Sequence, residues 1–159
     1  MPISIRKMEA RDLPNVLELL KEFAEYEKLS EYCTATEERF QTALFGSSAV
    51  ADGIVAFDGE DMAGYAIFYP NFSTFRGERG VYLEDIYIRP QFRGGGGGKQ
   101  MLKAVAARAA ERGFERIDFM VLDWNTPAIE FYKKLGAECN DDETHFKFAG
   151  AAFRSLAAV

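Results

Sequence analysis

The chain of 159 residues has little of what metal sites, disulfide frameworks and nucleic-acid surfaces are built from. Its two cysteines, Cys33 and Cys139, lie far apart without metal-binding spacing, so we interpret both as reduced thiols. The only histidine, His145, stands outside every motif and is interpreted as a structural or surface residue. Basic residues number 19 against 25 acidic ones, whereas a nucleic-acid surface carries a basic excess.

Long hydrophobic runs are also missing. No apolar stretch approaches the roughly 18 residues of a membrane span, and the first residues are strand-like and charged, unlike a signal peptide. These features predict a cytoplasmic protein that uses no metal and has no nucleic-acid or membrane partner.

Apolar and aromatic residues are plentiful, at 48% and 14%, which is enough for one packed domain spanning residues 1–159. Alternating patterns predict strands at 3–8, 80–90, 114–123 and 144–150, and a hairpin at 53–70 with Asp58-Gly59 near its turn. Helical spacing predicts helices at 12–29, 36–46, 98–113 and 125–136, and favours a helical tail. The order of elements indicates a mixed sheet covered by helices, an α/β (α+β) fold.

Five consecutive glycines, Gly94 to Gly98, separate a predicted strand from a predicted helix. The P-loop pattern fails, because Arg93 occupies its first glycine position and Gln100 its Ser or Thr position. The dinucleotide pattern needs six positions, and the run covers only five. A flexible loop is the plain alternative, although strand-to-helix loops are usually short. Amides at a helix N-terminus attract anions and glycine permits their close approach, so the run indicates an anion site.

The run also contains Arg93-x-x-Gly96-x-Gly98, which resembles the R/Q-x-x-G-x-G/A pyrophosphate loop of the GCN5-related N-acetyltransferase (GNAT) family. The longer stretch YLEDIYIRPQFRGGGGG is similar to the diamine and thialysine acetyltransferase branch of that family, and the resemblance covers nearly the whole chain. It implies a twisted, mostly antiparallel mixed sheet of six to seven strands flanked by about four helices. Gly94, Gly95 and Gly97 stand at variable positions of the motif.

The resemblance implies acetyl-CoA as co-substrate, with the strand before the loop pairing its main chain with the pantetheine amides. The implied acetyl-CoA contacts are Ile86, Tyr87, Ile88, Arg93, Gly94, Gly96, Gly98, Lys99, Asn125 and Tyr132.

Two adjacent carboxylates, Glu84 and Asp85, interrupt the apolar strand VYLEDIYI. Successive strand residues point to opposite faces, so one carboxylate is expected to face the active-site side. A buried unpaired charge is costly, which favours a paired or functional role. By resemblance, Glu84 draws the proton from the acceptor amine through water, and Asp85 contacts the acceptor or supports the structure.

Residues 123–137, DWNTPAIEFYKKLGA, resemble the final helix motif of the family. The resemblance implies that Asn125 hydrogen-bonds coenzyme A and that Tyr132 stands near the thioester sulfur. A phenol with a pKa of about 10 is suited to protonate a departing thiolate, so Tyr132 is predicted as the general acid. The alternative is an amphipathic helix with Phe131 and Tyr132 in the core, although a buried tyrosine hydroxyl needs a partner.

The acceptor-binding residues are the least defined by sequence. Tyr26 and Glu27 match a KYE stretch that lines the amine pocket of the branch, and a solvated helix end explains them equally well. The implied acceptor set is Tyr26, Glu27, Phe75, Glu84 and Asp85.

The stretch 69–80, YPNFSTFRGERG, departs from the diamine branch. Phe75 takes the aromatic position, but Ser73 stands where the branch has an aspartate, and Arg76 and Arg79 add positive charge. These differences argue against long polyamines and favour an amino-acid-like or other small primary amine. The branch also implies a homodimer.

The predicted reaction is direct attack of a neutral amine on the thioester in a ternary complex. Because an alkyl ammonium has a pKa near 10, the site must remove a proton before attack and return one to the sulfur. A protein or peptide N-acetyltransferase of the same fold stays open as an alternative. So does a CoA-binding regulatory module without turnover, although the presence of Glu84, Asn125 and Tyr132 together argues against it.

Overall fold

The fold is that of a computed structural model, which describes residues 3–158. The chain divides into two compact units, one running to Met120 and the other starting at Val121. The first unit contains the whole sheet and three helices, and the second contains two helices.

The sheet of the first unit has five strands in the order β1-β2-β3-β4-β5. The strands are β1 Ser4–Lys7, β2 Asp52–Asp58, β3 Asp61–Ser73, β4 Glu78–Ile88 and β5 Arg116–Asp118. Neighbours from β1 to β4 are antiparallel, and β5 runs parallel to β4. The β2–β3 turn contains Gly59 with a φ of 62°, which confirms the turn predicted from Asp58-Gly59.

Three helices accompany this sheet and two belong to the second unit. They are α1 Leu13–Tyr26, α2 Glu37–Phe45 and α3 Gly97–Glu111, followed by α4 Thr126–Lys134 and α5 Gly150–Ala157. Helix α2 begins where its sequence predicts, because the Thr36 hydroxyl accepts a hydrogen bond from the Arg39 amide at 3.3 Å. Across residues 3–158, no helix is long and apolar enough to cross a membrane.

The two faces of the sheet carry separate apolar cores. One face packs against α3 through Ile54, Phe68, Leu83, Met101 and Val105. The opposite face packs against α1, and α2 adds partly buried residues; its buried members include Leu13, Val16, Leu19, Tyr65 and Tyr87. Every strand between the layers therefore has one face toward α3 and the other toward α1.

The predicted strand count of six to seven is wrong for the described residues, which form five strands. The predicted strand at 114–123 pairs only over Arg116–Asp118, and residues 144–149 are not a strand. Phe146 and Phe148 of that segment are 84% and 69% exposed, and an alternating pattern forms a strand only where a partner strand is available. The part of the chain from 3 to 158 forms five α-helices, one more than the resemblance implies, because the tail forms α5.

Candidate active site

The glycine run forms a loop whose backbone only glycine adopts readily. Gly94 and Gly96 have φ values of 87° and 83°, in the left-handed region. Gly96 is the N-cap of α3, so the first helical amides follow it directly and lack partners within the helix. A Cβ atom at Gly94, Gly95 or Gly96 would meet nothing within 4 Å. The loop therefore presents glycine backbone to open space, which fits the approach of a pyrophosphate.

Gly97 has a different role, because it is buried under the loop. A Cβ there would lie 3.3 Å from Ile88 Cδ1 and 3.4 Å from Ile3 Cδ1, closer than most real side chains tolerate. The structure thus accounts for two of the glycines at variable positions of the motif, Gly94 by its dihedral angle and Gly97 by its packing.

The pairing of β4 with β5 ends before this loop is reached. β5 pairs with β4 only from Gly80 to Tyr82, whereas β3 pairs with β4 as far as Ile88. The main chain of Ile86 and Tyr87 therefore lies beyond the β5 register, as a strand that receives pantetheine amides would. The Ile88 carbonyl already accepts a hydrogen bond from Arg93 Nε at 2.8 Å.

The two adjacent carboxylates lie on the same face of the sheet. The Tyr65 hydroxyl donates to Asp85 Oδ2 at 3.0 Å, and the Tyr69 hydroxyl donates to Glu84 Oε2 at 3.3 Å. Tyr65 and Tyr69 are four residues apart on β3 and share the face toward α1.

The expectation that Glu84 and Asp85 point to opposite faces is therefore wrong. The register explains why, since Ile67 pairs with Asp85 and the next residue, Phe68, pairs with Leu83. Glu84 is the extra residue of a β-bulge, which breaks the alternation and turns both carboxylates toward α1.

The two carboxylates have different surroundings. Burial raises the pKa of Asp85 to about 6, the negative charge of Glu84 adds to the rise, and the hydrogen bond from Tyr65 opposes it. Burial, followed by the charge and hydrogen bonding of Asp85, raises the pKa of Tyr65 well above its usual value. The side chain of Glu84 is exposed.

The end of α1 supplies the predicted residues Tyr26 and Glu27. Burial and the nearby charge of Asp85 raise the pKa of Glu27, so these two carboxylates belong to one electrostatic cluster. Tyr26 lies under the guanidinium of Arg93, with 5.2 Å between the Arg93 Cζ atom and the ring centroid. The structure thus brings Tyr26, Glu27, Glu84 and Asp85 to the α1 face.

Phe75 and Arg79 lie elsewhere in the first unit. Phe75 is fully exposed in the turn between β3 and β4. Phe75 precedes Glu78, the first residue of β4. From Glu78 to Asp85 the strand runs roughly 23 Å, at about 3.3 Å per residue. Arg79 places its guanidinium over Phe114, 5.2 Å from the ring centroid. Within this unit, Arg79 therefore gives no support for an acceptor with its own carboxylate.

The second unit contains the remaining predicted residues. Asn125 is buried, and its Oδ1 accepts a hydrogen bond from the Ala128 amide at 3.4 Å, which caps α4. Tyr132 is half-buried and packs edge-on against Phe131 with 5.3 Å between ring centroids. Phe131 is itself 36% exposed, so it is not a fully buried core residue.

Sequence reasoning missed the two tyrosines of β3 that hold the carboxylates. Tyr65 and Tyr69 occur four residues apart in a strand that precedes the LED strand by a hairpin. That spacing on one strand face was the available signal. Within residues 3–158, no group of three or more His, Cys, Asp or Glu side chains is arranged to hold a metal ion.

Solved structures share the fold of this chain. An integron cassette protein from the mobile metagenome of V. cholerae superposes with a TM-score of 0.80 at 22% identity, covering 100% of this chain and 99% of that chain. An aminoglycoside acetyltransferase from a soil metagenome gives a TM-score of 0.76 at 18% identity, covering 92% of this chain and 95% of that chain. The fold is thus one that acetyltransferases use.

The family follows from sequence comparison. The model of the acetyltransferase (GNAT) family matches residues 13–137. The thialysine N-epsilon-acetyltransferase of Bos taurus is 38% identical over 166 residues, which cover 98% of this chain and 97% of the bovine protein. The L-ornithine N5-acetyltransferase NATA1 of Arabidopsis thaliana is 37% identical over 95 residues, or 60% of this chain and 42% of that protein.

This chain belongs to the acetyltransferase (GNAT) family, as its glycine loop predicts. Membership makes it an N-acetyltransferase that takes its acetyl group from acetyl-CoA.

The raised pKa of Asp85 predicts a pH-dependent cost to stability. In the unfolded chain this carboxyl ionises near 3.8, and in the folded protein it ionises near 6. The folded state therefore loses stability as the pH rises through about 6. We expect Asp85→Asn to increase the free energy of unfolding by about 2 kcal/mol at pH 8, and by little below about pH 4.

Urea unfolding of wild type and Asp85→Asn at several pH values measures this difference. Glu84→Gln, the same change at the exposed neighbour, serves as the control and should show a smaller effect. A stability difference that does not vary with pH would mean that the pKa of Asp85 is not raised in the folded protein.

The left-handed glycines predict unequal effects of adding one methyl group. Gly96→Ala should lower the free energy of unfolding by about 1 kcal/mol, because alanine is strained at a φ of 83°. Gly95→Ala should leave stability unchanged, because Gly95 has no positive φ and its Cβ would meet nothing. Thermal unfolding of the two variants tests this, and equal melting temperatures would contradict the loop conformation.

Proposed function

We propose that this chain transfers the acetyl group of acetyl-CoA to the primary amine of a small, amino-acid-like molecule such as thialysine or ornithine. The observation that carries the proposal is the partly buried carboxylate of Asp85. It is hydrogen-bonded by a neutral phenol, and the charges that act on it and on Glu27 are negative. A protonated amine is the ligand that would compensate such a cluster.

The names of the relatives support a small amine. The bovine relative is a thialysine N-epsilon-acetyltransferase and covers nearly the whole chain. The plant relative is an L-ornithine N5-acetyltransferase. Thialysine and ornithine are both amino acids with a side-chain amine, and we infer the same class of acceptor here.

The residues of the loop and strand fit the coenzyme. We infer that the amides of Gly96, Gly98 and Lys99 hold the pyrophosphate, and that Gly94 lets the chain turn toward it. The open edge of β4 at Ile86 and Tyr87 would receive the pantetheine amides. Asn125 and Tyr132 would complete the coenzyme contacts. When bound, acetyl-CoA supplies the thioester whose carbonyl carbon the amine attacks.

We assign the proton transfers to residues of this chain. Asp85 and Glu27 would hold the ammonium, and Tyr26 would line the pocket. Glu84, exposed on the same face, would accept a proton from the amine through water. Tyr132 would donate a proton to the departing sulfur.

We also infer that the two units act as one acetyltransferase domain spanning 1–159, since the family match runs from residue 13 to 137 and includes both. We infer a homodimer from the branch that the sequence resembles, and a cytoplasmic protein from the interpretation of Cys33 and Cys139 as reduced thiols.

The acceptor class is tested by measuring thiol release from acetyl-CoA with thialysine, ornithine, lysine, spermidine and short peptides. We expect an amino-acid amine to have the highest kcat/KM. Asp85→Asn should raise the KM for that amine by at least about tenfold, because the ammonium of the acceptor loses its negatively charged partner. It should leave acetyl-CoA binding, measured by calorimetry, unchanged.

Preference for a peptide would instead indicate a protein N-acetyltransferase. Binding of acetyl-CoA without thiol release on any acceptor would indicate a regulatory module, and either result would overturn the proposal.

The role of Tyr132 predicts a loss of rate without a loss of coenzyme. Tyr132→Phe should lower kcat by about a hundredfold, because it removes the proton donor and keeps the ring. The dissociation constant of acetyl-CoA should stay the same. Tyr32→Phe, at a tyrosine that is 71% exposed, is the control and should behave as wild type. A kcat unaffected by Tyr132→Phe would remove this residue from the mechanism.

A further inference from the structure

Three charged hydrogen bonds join Arg89 to Glu22 of α1. Its Nη2 and Nε atoms lie 2.8 and 3.1 Å from Glu22 Oε1, and Nε lies 3.1 Å from Oε2. Its Nη1 donates to the Met62 carbonyl at 3.2 Å. The Arg89 side chain is only 23% exposed, so this pair is partly shielded from water. Arg89 directly follows β4, and Glu22 stands in the second half of α1.

A second arginine reinforces this connection one turn later. Arg93 lies over the rings of Tyr26 and Tyr87, with its Cζ atom 5.2 and 5.6 Å from their centroids. Its Nε is held by the Ile88 carbonyl. Tyr87 in turn packs against Phe23 of α1 at 5.3 Å between centroids.

We call the set Glu22, Tyr26, Tyr87, Arg89 and Arg93 the arginine clasp. It joins the last two turns of α1 to the end of β4 and to the first residue of the glycine loop. The clasp contains Tyr26 and is followed directly by Glu27, and these are the two residues at the end of α1 inferred to hold the acceptor. On β4, Asp85 and Glu84 precede Tyr87 of the clasp by two and three residues.

We propose that the Glu22–Arg89 pair is a positioning device for the acceptor, which sets the end of α1 at the correct distance from the carboxylates of β4. Neither residue touches the reacting atoms in this proposal. Arg89 acts through Glu22 on the placement of Tyr26 and Glu27, and a small displacement of such residues has a large effect on rate and on KM. The proposal rests on the proposed function.

The orientation of Arg93 gives this proposal a specific content. The guanidinium of the first residue of the loop is directed toward α1, where it covers Tyr26. Loss of the Glu22–Arg89 pair should therefore disturb the acceptor side of the clasp. The glycine backbone of the loop should stay intact.

The test compares Arg89→Met with wild type, using thialysine as the acceptor. Methionine keeps the apolar length of the side chain and removes the charged fork. We expect the KM for thialysine to rise by about tenfold, while the dissociation constant of acetyl-CoA, measured by calorimetry, changes by less than about twofold. Glu22→Gln is the milder variant if Arg89→Met does not fold. The double variant should be no worse than Arg89→Met, since both changes break one pair.

Arg112→Met is the matched control. It breaks another arginine–carboxylate pair of the same unit, in which Arg112 Nη1 lies 3.4 Å from Asp52 Oδ2. The KM for thialysine and the dissociation constant of acetyl-CoA should stay at wild-type values in this variant, even if its melting temperature falls. Arg89→Lys restores the charge without the fork and should recover part of the affinity for thialysine.

Three results would count against the clasp. An unchanged KM for thialysine in Arg89→Met overturns the positioning role. An equal rise for Arg112→Met shows that loss of any ion pair has this effect, which also overturns it. A wild-type protein that releases no thiol with any amine overturns the proposed function and this inference with it, so the two failures are distinguishable.

Discussion

The β-bulge at Glu84 is the constraint on which the candidate site depends. Without the extra residue, β4 would alternate strictly, and only one of Glu84 and Asp85 would face α1. With it, both carboxylates meet the hydroxyls of Tyr65 and Tyr69 on a single face. The bulge also lies close to where pairing with β5 ends, at Tyr82. One irregularity thus gathers acidic groups on the face toward α1, next to a strand segment that has left its parallel neighbour.

One side of the glycine loop packs against the protein, and the other side is exposed. Met101, Val105 and Ala109 of α3 are buried against the sheet, which fixes the helix that the loop begins. Gly97 packs against Ile88, so the start of α3 cannot move away from the end of β4 without losing contact. The exposed side, by contrast, consists of the backbone of Gly94 to Gly96. A rigid base with an exposed array of amides is what anion binding at a helix N-terminus requires, because the amides need no rearrangement when the anion arrives.

Much of the first unit could be predicted from sequence, and the exceptions have physical causes. The glycine loop, the hairpin at Asp58-Gly59 and the family all followed from local patterns. The bulge did not, because a strand with one inserted residue shows the same composition as a regular strand. The strand predicted at 144–150 does not form, because an alternating pattern shows that a segment could pair and not that a partner strand is present. The clasp was invisible because Glu22 and Arg89 are distant in sequence and meet only through packing of α1 on β4.

Asp85 shows how stability and function are opposed in this fold. A carboxylate whose pKa is raised by burial destabilises the folded protein at neutral pH, and an apolar or amide side chain there would not. Its hydrogen bond from Tyr65 lowers that cost without removing it. In the proposed function this cost would become an advantage on binding of the ammonium, because attraction between charges is strongest where water is excluded. In the proposed function the Glu22–Arg89 pair has the complementary role, since an ammonium would be held between α1 and β4 only if that pair fixes the distance between them.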